Sequence, residues 1–131
     1  MHEPAHIIFL TSYRLSTTLI DMQDEIKKIT REILLGFWKV HILHHASEGP
    51  VVGQWMIQEL QRHGYNISPG TLYPLLNRME AHAWLRSEVA PGGGLRARKS
   101  YYLTDRGQKV LLFLQERVEE LWNEIRDESN D

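Results

Sequence analysis

The sequence of 131 residues contains no cysteine. This absence excludes disulfide bonds, a thiolate nucleophile and any zinc site built on sulfur ligands. No apolar run approaches the roughly 20 residues that a membrane-spanning helix needs. The short apolar run at residues 7–10 has no basic segment before it, so a secretory signal is not expected. The sequence therefore predicts a cytoplasmic protein without a membrane partner.

The short motifs that usually accompany catalysis are also missing. There is no nucleophile elbow, no phosphate-binding loop and no pair of acids in a strand context. We therefore predict that the protein is not an enzyme, with no catalytic residue and no cofactor. His41, His44 and His45 invite a metal interpretation, because two histidines four apart on a helix can share an ion. With no cysteine and with Glu48 as the nearest acid, exposed or hydrogen-bonded histidines are preferred, and no metal site is expected.

The net charge is small, but the charged residues are unevenly placed. The net charge of −2 and the 42% hydrophobic composition are ordinary for one soluble globular domain of this length. Residues 85–107 nevertheless carry five basic side chains against two acidic ones, whereas residues 115–131 carry seven acidic side chains against two basic ones. A local patch, and not the total, sets the electrostatic field that a phosphate meets. The composition thus permits a nucleic-acid partner.

The most informative stretch is residues 66–80, which has the pattern of an amphipathic helix. Leu72, Leu75, Leu76 and Met79 follow the i, i+3, i+4, i+7 spacing of a core-facing stripe. The opposite side carries a flat ring, an amide, an arginine and a glycine that permits close backbone approach: Gly70, Tyr73, Pro74, Asn77 and Arg78. Such a face suits contact with a partner better than simple solvation.

Two positions compete for the start of this helix. Ser68 before Pro69 fits a capping hydroxyl followed by proline at the first helical position. A start nearer Thr71 would place Pro74 in the first turn, where a proline costs little. The sequence leaves both open.

Two helices are predicted before this stretch. An apolar stripe from Ile26 runs to about residue 43 and is interrupted at Gly36, which allows one bent helix or two short ones. A helix over about 53–63 follows the breaker at 47–50 and ends at Gly64 in a left-handed conformation. Together with residues 66–80 it forms a helix-turn-helix pattern.

Beyond Ala83 the period changes to that of strands. Residues 85–89 and 98–103 alternate around a glycine-rich tip, which predicts a hairpin with Arg96, Arg98 and Lys99 near its tip. Thr104 and Asp105 then cap a long last helix. Its apolar stripe is too long for one subunit to cover, so a homodimer is expected through Leu111, Leu114, Val118, Leu121, Trp122 and Ile125.

These elements make a mainly α winged helix-turn-helix with a small β-hairpin and a long C-terminal dimerisation helix. Residues 68–80 and 98–107 closely resemble two signatures of the PadR-like transcriptional regulators, and the likeness covers roughly residues 33–122. One departure is Val52-Gly53-Gln54, where the family usually has His-Gly-Tyr. The predicted divisions are a flexible arm at 1–16, the winged domain with its N-terminal helix at 17–104, and the dimerisation helix at 105–131.

The resemblance implies a dimeric DNA-binding regulator, usually a repressor, that a small molecule releases. We expect Tyr73, Asn77 and Arg78 to contact base edges of a near-palindromic operator, and Ser68 and Thr71 to hold phosphate near the helix start. Gly70 and Pro74 share that DNA-facing side, and Arg96, Arg98 and Lys99 suit backbone or minor-groove contact. Trp38 and Trp122 could line a cavity for a planar aromatic effector, although ordinary packing explains them equally well. The competing hypothesis is a winged helix that contacts only protein.

Overall fold

The computed structural model describes residues 22–94 and 97–130. Its elements are helix α1 (Gln23–Glu48), strand β1 (Val51–Val52), α2 (Gly53–Arg62), α3 (Pro69–Ala81), β2 (Leu85–Val89), β3 (Lys99–Leu103) and α4 (Asp105–Asn130). This order confirms the predicted fold class, a mainly helical winged helix-turn-helix with a long final helix. The predicted arm at residues 1–16 lies outside the described residues.

Helix α1 runs without interruption through Gly36, so the single-helix alternative is correct. A glycine inside a helix costs only about 1 kcal/mol relative to alanine. Burial of apolar side chains in the second half of α1 outweighs that cost, because Trp38, Ile42 and Leu43 all lie in the core. Residues 23–33, by contrast, are exposed, and the helix first meets the core at the partly buried Leu34 and Leu35.

The turn between α2 and α3 forms as the sequence predicts. Gly64 has a φ of +93°, and the Tyr65 amide donates to the Leu60 carbonyl at 3.0 Å, which closes the end of α2. Met56 is the inward residue at the start of α2, whereas Trp55 is 46% exposed. Helix α2 then packs against α3 through its apolar side.

A three-stranded antiparallel sheet in the order β1-β3-β2 completes the domain. The buried Tyr101 of β3 pairs with Val51 of β1 on one side and with Ser87 of β2 on the other. The hairpin of β2 and β3 was predicted, but β1 was not, because two residues are too few to show an alternating pattern. Hereafter the hairpin with its tip, residues 85–103, is called the wing.

Helix α4 docks on the wing through its first turn. The Thr104 hydroxyl donates to the Ala83 carbonyl and accepts the Gly107 amide at 2.9 Å, which confirms the predicted cap. A Cβ at Gly107 would lie 2.1 Å from the Trp84 carbonyl oxygen, so a glycine is required there. This close approach brings Leu111 into the core of the domain.

Candidate nucleic-acid interface

Helix α3 separates its side chains as the periodicity predicts. Leu72, Leu75, Leu76 and Met79 are fully buried and fix the helix on the core. The opposite side is exposed and is called the recognition face below; it consists of Gly70, Tyr73, Pro74, Asn77 and Arg78. A helix held by its leucines therefore presents a ring, an amide and a guanidinium to any partner.

The start of α3 corrects one detail of the predicted cap. The helix begins at Pro69, as one alternative predicts, but the Ser68 hydroxyl makes no capping bond to the backbone and lies 3.4 Å from the Thr71 hydroxyl. The Ser68 carbonyl, not its side chain, accepts the Thr71 and Leu72 amides. The capping role given to the hydroxyl is therefore wrong, since Ser68 holds the helix through its backbone. Two hydroxyls stand together at the helix start instead.

Pro74 lies in the second turn of α3, not in the first. Because proline has no N–H, the carbonyl of Gly70 loses the hydrogen bond that a residue at position 74 would otherwise donate. Gly70 and Pro74 are both exposed, so this carbonyl lies on the side of the helix that is open to solvent or to a partner.

Tyr73 is set in place by the first residue of α2. A Cβ at Gly53 would lie 2.5 Å from Cε1 of Tyr73 and 3.0 Å from its hydroxyl oxygen. The ring thus lies against a backbone that has no side chain, while Tyr73 remains 41% exposed. The sequence placed Tyr73 on the outer face of α3 but gave no sign of this contact with α2.

The basic residues of the wing differ in their surroundings. Arg98 is exposed at the start of β3. Lys99 instead reaches Glu80 of α3, with Nζ 3.6 Å from Oε1, and its charge is partly balanced there. Arg86 lies 4.4 Å from the centre of the Tyr102 ring and pairs with Glu88 at 2.7 Å. Arg96 lies outside the described residues.

Helix α4 divides its apolar stripe between the core and the surface. Leu111 is only 2% exposed and Leu114 packs against the core, so Leu111 was wrongly included among the dimerisation residues. The stripe beyond them projects outward, with each side chain roughly half exposed: Val118, Leu121, Trp122 and Ile125. These four residues are called the apolar face of α4.

A second apolar surface lies on α1 between residues 26 and 37. Its members are exposed large hydrophobic side chains in helical spacing: Ile26, Ile29, Ile33 and Phe37. Helices α1 and α4 pack together, and Phe37, Val40 and Val118 line a hollow of about 280 Å³ between them. The sequence showed the apolar stripe of α1 but did not indicate that its N-terminal part remains exposed in the protomer.

The two tryptophans proposed for an effector site have different surroundings in the protomer. Trp38 is 7% exposed and packs edge-on against Tyr65, with ring centroids 6.1 Å apart. Trp122 is 58% exposed on α4. The ring of Trp38 is enclosed by the core of the protomer, so ordinary packing, which the sequence left open as the alternative, accounts for it here.

Histidines from two helices converge beside the helix-turn-helix. His41 and His45 of α1 stack with ring centroids 6.4 Å apart, and His63 lies 5.1 Å from His41. Burial and the neighbouring imidazoles lower the pKa of His41. The pKa of His45 is also lowered, mainly by burial and to a smaller extent by the nearby imidazole of His44. A hydrogen bond from Arg62 lowers the pKa of the Glu59 carboxyl beside them. The spacing in the sequence indicated that His41 and His45 lie together, but it could not predict that His63 lies beside them.

Among the described residues, no helix combines the length and hydropathy that crossing a membrane would require.

Comparison with known proteins gives a consistent result. The profile described as "Transcriptional regulator PadR-like family" matches residues 42–112. A transcriptional regulator of Mycobacterium tuberculosis, Rv3488, is 46% identical over 95 residues, which cover 72% of this chain and 88% of that protein. A PadR family transcriptional regulator from Eggerthella lenta has a TM-score of 0.67 at 30% identity, over 82% of this chain and 95% of that one. A PadR-like regulator from Bacillus cereus also has a TM-score of 0.67, at 25% identity, over 76% and 98% of the two chains.

Proposed function

We propose, since this chain belongs to the PadR-like family of transcriptional regulators, that it is a homodimeric, sequence-specific DNA-binding repressor that a small molecule releases. The observation that carries this proposal is the recognition face of α3. It is polar and exposed, while the other side of the same helix is fully buried. A helix fixed in this way can enter the major groove with its outer side chains directed at base edges.

Three side chains of the recognition face are proposed to contact the bases. Asn77 suits the paired donor and acceptor of adenine, and Arg78 suits the two acceptors of guanine. Tyr73 offers a hydroxyl and a ring edge, and its contact with Gly53 limits how far it can move. Gly70 adds no side chain, which lets the backbone of the helix start approach the DNA closely.

Phosphate contacts are expected on either side of the groove. Ser68 and Thr71 place two hydroxyls at the N-terminal end of α3, where amide groups and the helix dipole also favour an anion. Arg98 and Lys99 of the wing supply positive charge, and Arg98 is the stronger candidate because Glu80 partly balances Lys99. These contacts would orient the protein on the duplex and not specify its sequence.

A second copy of the chain is the occupant that best fits the exposed apolar surfaces. The apolar face of α4 and the exposed side chains of α1 lie on two helices that pack together, so one partner can cover both. A two-fold dimer would then carry two α3 helices. If they enter successive major grooves, the half-sites lie about 34 Å apart in a near-palindromic operator.

Release by an effector would act through the same interface. Trp122 is exposed on α4 and can stack a planar aromatic molecule against the second subunit. Such a ligand favours whichever dimer arrangement it binds more tightly, and a change in the angle between the α4 helices would change the spacing of the α3 helices. Repression is then lifted because both half-sites can no longer be occupied together.

Selection of bound duplexes from a random DNA pool tests this function. We expect enrichment of a near-palindrome, and binding that weakens steeply with salt as counterions are released. A pool that stays random, together with retention that is insensitive to salt, would instead support a winged helix that contacts only protein.

A further inference from the structure

We propose that His41, His45 and His63 form a binding site for a divalent transition-metal ion such as Zn²⁺. The site lies between α1 and α2, apart from the recognition face, and the inference does not rest on DNA binding. From the sequence, no metal site was expected. That expectation considered only the histidines of α1, and this proposal reverses it.

The three imidazoles converge from two helices. His41 and His45 are one turn apart on α1, and His63 follows the last residue of α2. Their ligand nitrogens all lie within 4.8 Å of one another. Tetrahedral Zn²⁺ with bonds of about 2.0–2.1 Å requires nitrogens about 3.3 Å apart. Small side-chain rotations close that difference, since His63 stands at a helix end with an exposed side chain.

One ring nitrogen of this histidine cluster already lacks a partner. Nε2 of His45 is buried and makes no hydrogen bond, and its nearest carboxylate oxygen, Oε1 of Glu59, is 3.8 Å away. A buried polar atom without a hydrogen-bond partner carries an energetic penalty in the folded protein. A metal ion among the three rings would use this lone pair and remove the penalty.

Glu59 stands where a supporting carboxylate is needed. Its Oε1 lies 3.1 Å from Nε2 of His63, which comes four residues later in the chain, just after α2. It can orient that ring or complete the coordination, as carboxylates commonly do beside metal-bound histidines. Arg62 would compete with a metal ion, because it also binds Glu59 and its Nη2 lies 3.5 Å from Nε2 of His63. The Arg62 side chain is largely exposed, so it can move into solvent when an ion binds.

The donor set selects the class of ion. Imidazole nitrogens favour Zn²⁺, Cu²⁺ and Ni²⁺, whereas Mg²⁺ and Ca²⁺ prefer oxygen ligands. An open hollow of about 780 Å³, lined in part by His45, Glu59 and Arg62, provides the entry path. The bound ion would link α1 to α2, the helix that supports α3.

A neighbouring group of potential ligands is less suitable. His44 and His45 with Glu48 also place their ligand atoms within 4.8 Å of one another. However, Nε2 of His44 already lies 2.8 Å from Oε1 of Glu48, and all three residues come from α1. The two sites share His45, so His44 and His63 distinguish them.

Calorimetric titration of the tag-free full chain with Zn²⁺ tests the proposal. We expect one ion per chain in the wild type and a loss of affinity of at least about tenfold in His63→Gln. His41→Gln should lose a similar factor, and it serves as the second variant. The controls His44→Gln, His82→Gln and His2→Gln/His6→Gln should bind like the wild type. Thermal unfolding without metal checks that each variant is folded.

A second measurement reports the ligands directly. Co²⁺ bound at this site should give the intense visible absorption of a tetrahedral complex, and His63→Gln should abolish it. Zn²⁺ should raise the unfolding temperature of the wild type, whereas Mg²⁺ at the same concentration should not. Absence of Zn²⁺ binding, or equal binding by the wild type and His63→Gln, would overturn the proposal. Loss of binding in His44→Gln but not in His63→Gln would overturn it in favour of the site on α1.

Discussion

The ring of Tyr73 lies against the backbone of Gly53, so close that a Cβ there would stand 2.5 Å from Cε1 of the ring. This contact joins the first residue of α2 to the recognition face of α3. A glycine at position 53 therefore does more than start a helix, because it leaves the space in which the tyrosine lies.

Gly53→Ala should displace the Tyr73 ring and weaken binding to the preferred DNA site. A displaced ring loses part of one base contact, so we expect a loss of about 1 kcal/mol, or roughly fivefold in affinity. Fluorescence anisotropy with a labelled duplex measures it. Gly36→Ala is the matched control, since nothing lies within 4 Å of its added methyl group. Equal affinity of Gly53→Ala and wild type would show that the position of the ring is irrelevant to binding.

The same substitution should have opposite effects on stability at two other glycines. Gly107→Ala would place its Cβ against the Trp84 carbonyl, which is backbone and cannot move cheaply, so the free energy of unfolding should fall by about 2–3 kcal/mol. Gly36→Ala should raise it by roughly 0.5–1 kcal/mol, because alanine is the better helix former. Urea unfolding at one fixed protein concentration compares them. A Gly107→Ala protein as stable as wild type would contradict the described docking of α4.

Periodicity predicted those parts of the fold in which one helix or strand has one buried side. The stripe of Leu72, Leu75 and Met79 is an example, because each side chain packs on the same core. Contacts between distant segments could not be obtained in this way. The approach of Gly107 to Trp84 and of His63 to His41 depends on how the elements pack, and no local pattern encodes it.

Periodicity also failed to distinguish two kinds of apolar surface. A stripe that packs inside the protomer and a stripe left for a partner have the same spacing, as Leu111 and Leu121 demonstrate on one helix. Only the position of the remaining domain decides between them. The sequence likewise could not show that the ring of Trp38 lies in the core whereas that of Trp122 is exposed.

The apolar face of α4 yields a prediction about association. Leu121→Lys should convert a dimer into monomers, because a lysine would be desolvated where a leucine is buried by the partner. Glu120→Lys introduces the same side chain at the adjacent position and should leave the dimer intact. Sedimentation velocity distinguishes the two forms. A Leu121→Lys protein that remains a stable dimer would remove α4 from the proposed interface.

The wing residues should differ in how they change the salt dependence of DNA binding. Arg98→Ala should reduce the slope of log affinity against log salt by about one unit for one lost phosphate contact, equally for operator and random DNA. Lys99→Ala should reduce it less, because Glu80 already balances part of that charge. Titrations at several salt concentrations provide the slopes. An unchanged slope in Arg98→Ala would mean that the wing does not touch the DNA backbone.

The base contacts proposed for the recognition face of α3 can be tested by a comparison of two affinities. Wild type, Asn77→Ala, Tyr73→Ala and the α4 control Glu116→Gln are titrated with the selected operator and with a scrambled duplex of equal length. We expect each α3 substitution to cost about 1–3 kcal/mol on the operator, roughly 5- to 150-fold, and much less on the scrambled duplex. The control should match wild type on both. If the α3 variants lose the same factor on both duplexes, these side chains position the protein on DNA without contacting bases, and the recognition face does not read the operator sequence.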